Sequence, residues 1–553
     1  MKKKFGVIFP LLFLALVAWT AEPVHAVFLN AERTIELKGK LQSRVSVSTE
    51  DTEGFSSIGE IEPLDPNFGG VTTDGFTFPD VDAWELVQHR NIAYVEFNHD
   101  LGELGRTGVD FKYHLLGRFL YEGIYDYGPE EYQDAAEVES DEFDDIAEDA
   151  DLWEAYADIS RGPLFVRIGR QTLAWGETDI FRLLDNINPL DNTYGFIFED
   201  LDDRRIPLDM IRASYNIGRV GIIRNFGLEG FWSPGFLEDT VAPFAPRGSR
   251  YAYPLGLTNQ GPNFTGGFIL PMLNWGGVAG WPEVVKPDED MINSRFGIRH
   301  IGFLGTNINY TIAHMRSILD VPGIGGVFTG PDEAGNNYWG LRLYYDTVDI
   351  TGLSVNFYEP VTDIVFRAEV AYFWNEAVLN TETAFAPLAV VLNPESGLDE
   401  NDLVFSDVQE KEFWKFMLGL DKNLWVRWLN RNQTFYLSAQ YFGAYMVDHE
   451  ETIIQPVNNI PSKYWRGDAF PKVSEYEHTV TFIANTAYYS GRIEPQIALA
   501  VDLRGAWFIQ PQVNYMFDPW RLKLQYSGIS GNRTSFGLLR DRDQLSLILT
   551  YNF

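Results

Sequence analysis

The chain contains no cysteine in 553 residues. That absence excludes disulfides, cysteine zinc sites, covalent haem attachment and a lipid-modified N-terminal cysteine. Bases are few, with 43 Lys and Arg against 78 Asp and Glu and a net charge of −35. A nucleic-acid partner held through bulk charge is therefore excluded, because phosphate binding needs a basic surface. No stretch beyond the N-terminus approaches the ~18 consecutive apolar residues of a spanning helix. Linkers are also lacking: no low-complexity or Pro/Ser-rich segment divides a chain of this length, which favours one large domain. The eight His are scattered. No His-Glu-x-x-His, no Gly-x-Ser-x-Gly elbow and no phosphate-binding glycine loop occurs. The expectation is a protein that is not an enzyme and carries no cofactor.

What is present begins with an export signal. Lys2, Lys3 and Lys4 form its positive region, Phe5 to Trp19 its apolar region, and Val24-His25-Ala26 the small-residue cleavage pattern. Cleavage after Ala26 leaves 27–553 as the mature domain, with a net charge of −37. Aromatic residues reach 15%. An exported, aromatic-rich chain without a spanning helix or cysteine points to the outer membrane of a Gram-negative cell.

The hydrophobic pattern has period 2. Ile35, Leu37, Gly39, Leu41, Val45 and Val47 alternate with Glu36, Lys38, Lys40, Gln42, Arg44 and Ser46. Charges so evenly spaced on one face suit a water-filled lumen opposite a lipid face. At the C-terminus Leu545, Leu547, Leu549, Tyr551 and Phe553 face one way, opposite Gln544, Ser546, Thr550 and Asn552. A terminal aromatic on the apolar face resembles the signal read by the barrel-assembly machinery, assigned here to Tyr551 and Phe553. The pattern predicts an all-β transmembrane antiparallel barrel of about 18 strands, within 16–20. Residues 338–358 are read as one long bulged strand, since dividing them would leave an odd count. Short turns such as Gly162-Pro163, Ile217-Gly218 and Asp518-Pro519 fall on the periplasmic side. The long extracellular loops are 49–84, 123–150, 171–206, 233–293, 318–337, 375–409, 447–476 and 529–542.

Candidate functional residues concentrate on two surfaces. The inward faces of the predicted strands carry Arg44, Lys112, Arg118, Glu154, Asp158, Glu229, Arg299, Arg342, Arg367 and Glu369. Arg367 and Glu369 share a face about 7 Å apart, from the strand rise. Such a wall is either an ion-pair network that stiffens the barrel or a cationic path favouring anionic or amphipathic solutes. From Glu122 through Glu154 there are fifteen acidic residues and no Lys or Arg. This is read as a solvated charge run, with Asp141, Glu142, Asp144 and Asp145 a candidate divalent-ion site that matches no defined calcium loop.

One stretch is denser than the rest: Phe165-Val166-Arg167-Ile168-Gly169-Arg170-Gln171, then Trp175-Gly176-Glu177, then Asn188-Pro189-Leu190-Asp191. It resembles the signature of the porin-like family called domain of unknown function 1302. Weaker echoes stand at Leu228-Glu229-Gly230-Phe231, Phe366 to Tyr372 and Leu418-Gly419-Leu420-Asp421. The resemblance implies an outer-membrane barrel, with a link to transport of lipids or hydrophobic compounds. On the residues, Arg167, Arg170, Gln171, Trp175, Glu177, Asn188 and Asp191 form the constriction or the anchor of a loop that turns into the lumen. Strand parity would turn Arg170 towards lipid unless Gly169 bulges the strand; a bulge is expected, with Arg170 pairing Glu177. The leading function is a passive porin-like channel. A loop-plugged transporter for hydrophobic compounds and a sheath for partner proteins are the alternatives. Expected contacts are outer-membrane lipid, lipopolysaccharide and the assembly machinery, in a monomer or trimer.

Overall fold

A computed structural model describes residues 27–52, 60–61, 71–72, 79–138, 140–237, 240–243, 245, 249–251, 275–278, 283–329, 337–380, 409–454, 473–532, 534–540 and 542–553. Alternation of apolar and polar residues commits a segment to a strand with two unlike faces. Eighteen such segments form the wall: β1 (Ile35–Ser48), β2 (Leu86–Glu103), β3 (Asp110–Glu122), β4 (Glu148–Arg161), β5 (Leu164–Gln171) and β6 (Leu208–Val220). They continue as β7 (Ile223–Ser233), β8 (Arg295–Leu304), β9 (Ile308–Ile318), β10 (Thr347–Glu359), β11 (Ile364–Asn380) and β12 (Gln409–Leu424). The last are β13 (Phe435–Met446), β14 (Tyr476–Asn485), β15 (Ile493–Asp502), β16 (Ala506–Phe517), β17 (Trp520–Gly531) and β18 (Gln544–Asn552).

Each strand pairs antiparallel with the next, and β18 returns to β1 with Tyr551 opposite Leu41 and Leu545 opposite Val47. Closure leaves no unpaired edge, the condition for placing a sheet in lipid. The outward face carries exposed Leu115, Phe119, Ile298, Leu353, Leu418 and Leu547. Trp374, Trp414 and Trp507 are exposed towards one end of the strands and Tyr358, Tyr515 and Phe517 towards the other, the aromatic girdles of a membrane barrel. Connections alternate in length. The turns 104–109, 162–163, 221–222, 305–307, 360–363 and 518–519 are short, whereas 49–85, 123–147, 172–207 and 234–294 are long. In an outer-membrane barrel the short turns mark the periplasmic end.

Three sequence expectations change. Residues 338–358 are not one bulged strand: Asn337–Tyr344 pairs with Gly323–Thr329 in a separate four-stranded sheet, and only Thr347–Glu359 joins the wall. The wall count is unaffected, because the extra strand belongs to a loop. The turn placed at Ile217-Gly218 falls at Gly221-Ile222, since β6 runs on to Val220. The acidic run is not a plain solvated loop but three short helices, α1 (Ile124–Tyr127), α2 (Glu130–Val138) and α3 (Ser140–Ala147). Their few apolar side chains decide this: Ile124, Tyr132 and Phe143 are at most 2% exposed, and Tyr125 packs edge-on against Tyr132 and Phe143. Acidic side chains at the start of α2 also suit its positive N-terminal dipole.

The closing seam depends on a glycine. Gly39 and Phe553 exchange backbone hydrogen bonds of 2.8 and 3.0 Å. A Cβ at Gly39 would lie 2.3 Å from the Phe553 ring and 2.7 Å from the Tyr94 carbonyl oxygen. Gly39→Val is therefore expected to displace the C-terminal aromatic and weaken closure by about 1–3 kcal/mol. The check is the fraction of purified protein that migrates as the compact, heat-modifiable form before boiling.

Candidate functional site: a loop docked in the lumen

The chain leaves the wall at the end of β5 and returns at β6, and both feet are clamped. Gln171 Nε2 donates to the carbonyls of Gly169 and Met210, each at 3.1 Å. The Asn188 amide oxygen accepts from the Leu173 N–H at 2.8 Å, and its nitrogen donates to the Ile206 carbonyl at 2.7 Å. One side chain thus ties the outgoing strand to the incoming one. Asp191 shapes the next turn by accepting from the Thr193 N–H at 2.9 Å.

Residues 172–207 then cross the barrel interior. Leu173, Trp175, Leu183, Leu184 and Ile187 are at most 4% exposed and pack on inward side chains of β6 to β13, among them Met210, Phe231, Met315, Ile350 and Met417. Each such side chain contributes about 1.5–3 kcal/mol on burial, whereas the Coulombic gain of a buried ion pair is largely offset by the cost of desolvating its charges. The apolar cluster therefore supplies the adhesion, and the polar contacts set the position.

Those polar contacts converge on wall residues that lie far apart in the sequence. The Trp175 indole donates to Glu229 of β7 at 2.9 Å, and Arg212 of β6 and Arg299 of β8 hold the same carboxylate at 2.7 and 2.9 Å. Arg299 also lies 4.9 Å above the indole. Glu369 of β11 accepts from the Glu177 backbone N–H. Arg367, one step along, donates to the Glu177 carbonyl at 2.5 Å, to both oxygens of Asp179 at 2.9 and 2.8 Å, and to Asp421 of β12 at 2.7 Å. Within the loop, Asp185 accepts from the Trp175 N–H at 3.1 Å and pairs with Arg205. Burial pushes its carboxyl above the usual range, opposed by Arg205 and Arg182.

The far half of the loop reaches the opposite wall. Phe198 packs on Phe508 and Tyr251, and Gln510 and Gln525 donate to its carbonyl at 3.2 and 3.1 Å. Glu199 pairs with Arg44 of β1 and, at 2.9 Å, with Arg90 of β2. Arg182 joins the loop to Asp320 beyond β9. Contacts from both sides of the wall thus hold one continuous segment across the lumen.

The other sequence candidates take separate places. Arg167 and Asp158 form a two-bond ion pair across β4 and β5 at 2.7 and 2.9 Å. Glu154 accepts from the Thr172 hydroxyl at 2.9 Å, and Lys112 pairs with Asp100 at 2.6 Å. Arg118 pairs with Asp149 at 2.6 Å and lies 3.5 Å over Trp153. Arg170 does not meet Glu177: it binds Asp151 and the Trp153 carbonyl, both at 3.2 Å. Nor does β5 bulge. Gly169 stays in unbroken register with Tyr156 and Met210, and the register shift falls between β3 and β4. Gly169 instead relieves close approach: its φ is +125°, and a Cβ there would lie 2.2 Å from the Ala155 carbonyl oxygen. Arg342 is on the separate sheet and not on a wall strand, and its side chain lies outside the described residues. So do the side chains of Asp141, Glu142 and Asp145, although their backbone is helical, with Asp144 on the same helix.

Sequence reasoning missed Asp179, Arg182, Glu199 and Asp320. All four lie in loops where no periodicity assigns a face, so no local signal marks them.

Glu229→Ala is expected to leave Arg212, Arg299 and the Trp175 N–H without their shared acceptor and to cost about 3–5 kcal/mol. Trp175→Phe, which keeps an aromatic ring but loses the indole hydrogen bond and part of the packing, should cost less, about 1–3 kcal/mol. Denaturant unfolding in detergent, with limited proteolysis within 172–207, measures both.

Among solved structures, the chain is similar to OccK5 (OpdH) of Pseudomonas aeruginosa at 9% identity and a TM-score of 0.42, over 94% of this chain and 98% of that one. It is also similar to OccAB1 of Acinetobacter baumannii at 9% identity and a TM-score of 0.42, over 96% and 99% of the two chains. At these values the likenesses add nothing to the barrel established by strand pairing. No curated protein matches the chain. The model of the family described as Protein of unknown function (DUF1302) matches residues 8–553, and the chain belongs to that family.

Proposed function

We propose that the protein is an outer-membrane channel for passive passage of small solutes, with loop 172–207 as its constriction. One observation carries the reading: a single loop, bound to opposite walls by Glu229, Arg367, Glu369, Arg44 and Arg90, occupies the interior of a closed barrel. The signal at 1–26 directs export, the terminal Tyr551 and Phe553 are read by the assembly machinery, and lipopolysaccharide surrounds the extracellular rim. Trp175, Glu177, Asn188 and Asp191 belong to the constriction. Arg170 acts as an anchor, because it is engaged with β4.

A specific observation favours the transporter for hydrophobic compounds as a second reading. The apolar cluster around Leu183, Met315, Phe373 and Met446 lies towards the extracellular ends of β9 to β13. A compound entering there would meet apolar side chains before the ionic layer. A sheath for partner proteins is disfavoured, because the chain's own loop takes up the lumen where a partner would sit.

The test is conductance in planar bilayers. Full-length protein should give small discrete steps, and Arg367→Met, which frees Asp179 and the Glu177 carbonyl, should raise the step about twofold or more. If wild type and variant both insert as folded barrels and neither conducts, the channel reading fails, and uptake of hydrophobic compounds by cells with and without the gene becomes the deciding assay.

A further inference from the structure

The loop does not meet the wall everywhere. Along β1 to β3 a small solvent-open pocket lies between the wall and residues 191–204, bridged by Glu199 to Arg44 and Arg90 and by Asp203 to Lys40. We propose that this pocket is a subsite for a small carboxylate carrying an apolar body, a proposal that rests on the channel reading and names the solute class for it.

The charge argument starts from Arg204, which ends helix α4 (Leu201–Arg204) and is 7% exposed. Its guanidinium donates to the Asn192 amide oxygen and, at 3.3 Å, to the Asp191 backbone carbonyl, and lies 4.9 Å from the Phe196 ring centroid. All these partners are neutral. Among the described residues, no carboxylate pairs with it. Burial draws its pKa down to about 10, so it remains a cation at neutral pH. A buried guanidinium with no direct carboxylate partner is the group that a carboxylate completes best, through its planar fork of donors.

Arg90 and Arg118 line the same pocket, and the Nε of each has no hydrogen-bond partner among the described residues. The acids facing the pocket are already engaged. Glu199 is shared by Arg44 and Arg90, Asp203 lies 3.6 Å from Lys40, and Asp191 accepts from Thr193. A free anion therefore meets Arg204, which has no carboxylate partner among the described residues, beside Arg90 and Arg118, each with an Nε–H to spare.

The apolar argument comes from strand parity. Ile92 and Leu120 are direct cross-strand neighbours, both inward and both at most 8% exposed. They give the pocket an aliphatic floor beside Arg90 and Arg118. Tyr94 and Tyr194 add aromatic walls. A compact inorganic anion would use the guanidinium groups and leave this apolar surface wet.

The experiment is isothermal titration of detergent-solubilised, heat-modifiable full-length protein with sodium benzoate, set against benzyl alcohol and inorganic phosphate. Saturable benzoate binding is expected, exceeding both controls and weakened roughly tenfold or more by Arg204→Gln. Leu120→Ala should weaken benzoate and leave phosphate unchanged. Should Arg204→Gln fail to give the compact form, Arg118→Gln carries the same expectation. Absence of benzoate binding, equal binding of phosphate or benzyl alcohol, or indifference to both arginine variants overturns the subsite. Binding in a barrel that never conducts supports the subsite and defeats the channel reading; conduction without binding does the reverse.

Discussion

The interior of this barrel is organised by a contact between a backbone segment and buried wall carboxylates. Glu229 receives the Trp175 indole while two arginines neutralise it, and Glu369 receives the Glu177 N–H with Arg367 alongside. A carboxylate inside a barrel is costly unless it is paired or hydrogen-bonded. Here the loop supplies part of what the wall acids need, and the wall supplies what the loop backbone would otherwise have taken from water. Each is incomplete without the other.

This mutual satisfaction divides the lumen. Between β6 and β13 the loop lies on an apolar cluster and a ladder of ion pairs, so that region is packed. Across β16 and β17 Gln510 and Gln525 meet a backbone carbonyl, and Lys523 pairs with Asp200 at 3.2 Å. Along β1 to β3, where Arg90, Arg118 and Arg204 gather, Glu199 and Asp203 bridge to the wall and leave a small open pocket between. The interior charge is accordingly both scaffold and surface: most arginines are engaged by acids, and a few border open space.

Much of the architecture was legible because strand chemistry is local. Period-2 alternation identified the wall segments to within a few residues, and eighteen strands were counted without any knowledge of pairing. The misreading at 338–358 arose because Asn337–Tyr344 has strand chemistry but pairs inside a loop. Alternation reports a strand and not which sheet it joins. The acidic helices were hidden for a related reason: fifteen acids obscured the few apolar side chains, such as Tyr132 and Phe143, that fold the segment onto the barrel. The prominence of Trp175, Glu177 and Asn188 was visible as motif density, whereas their partners were not.

By itself, then, the sequence determined a closed, outward-apolar barrel, the alternation of short turns with long loops, and the segment where the chain turns inward, because each follows from local periodicity and turn chemistry. The tertiary structure alone decided that Arg170 serves Asp151, that the scattered echoes at Glu229, Arg367, Glu369 and Asp421 surround one loop, and that Glu199 closes the far side. Those partners are brought together by barrel closure and a chain crossing the lumen. Neither the register around a closed sheet nor the path of a loop is encoded by neighbouring residues.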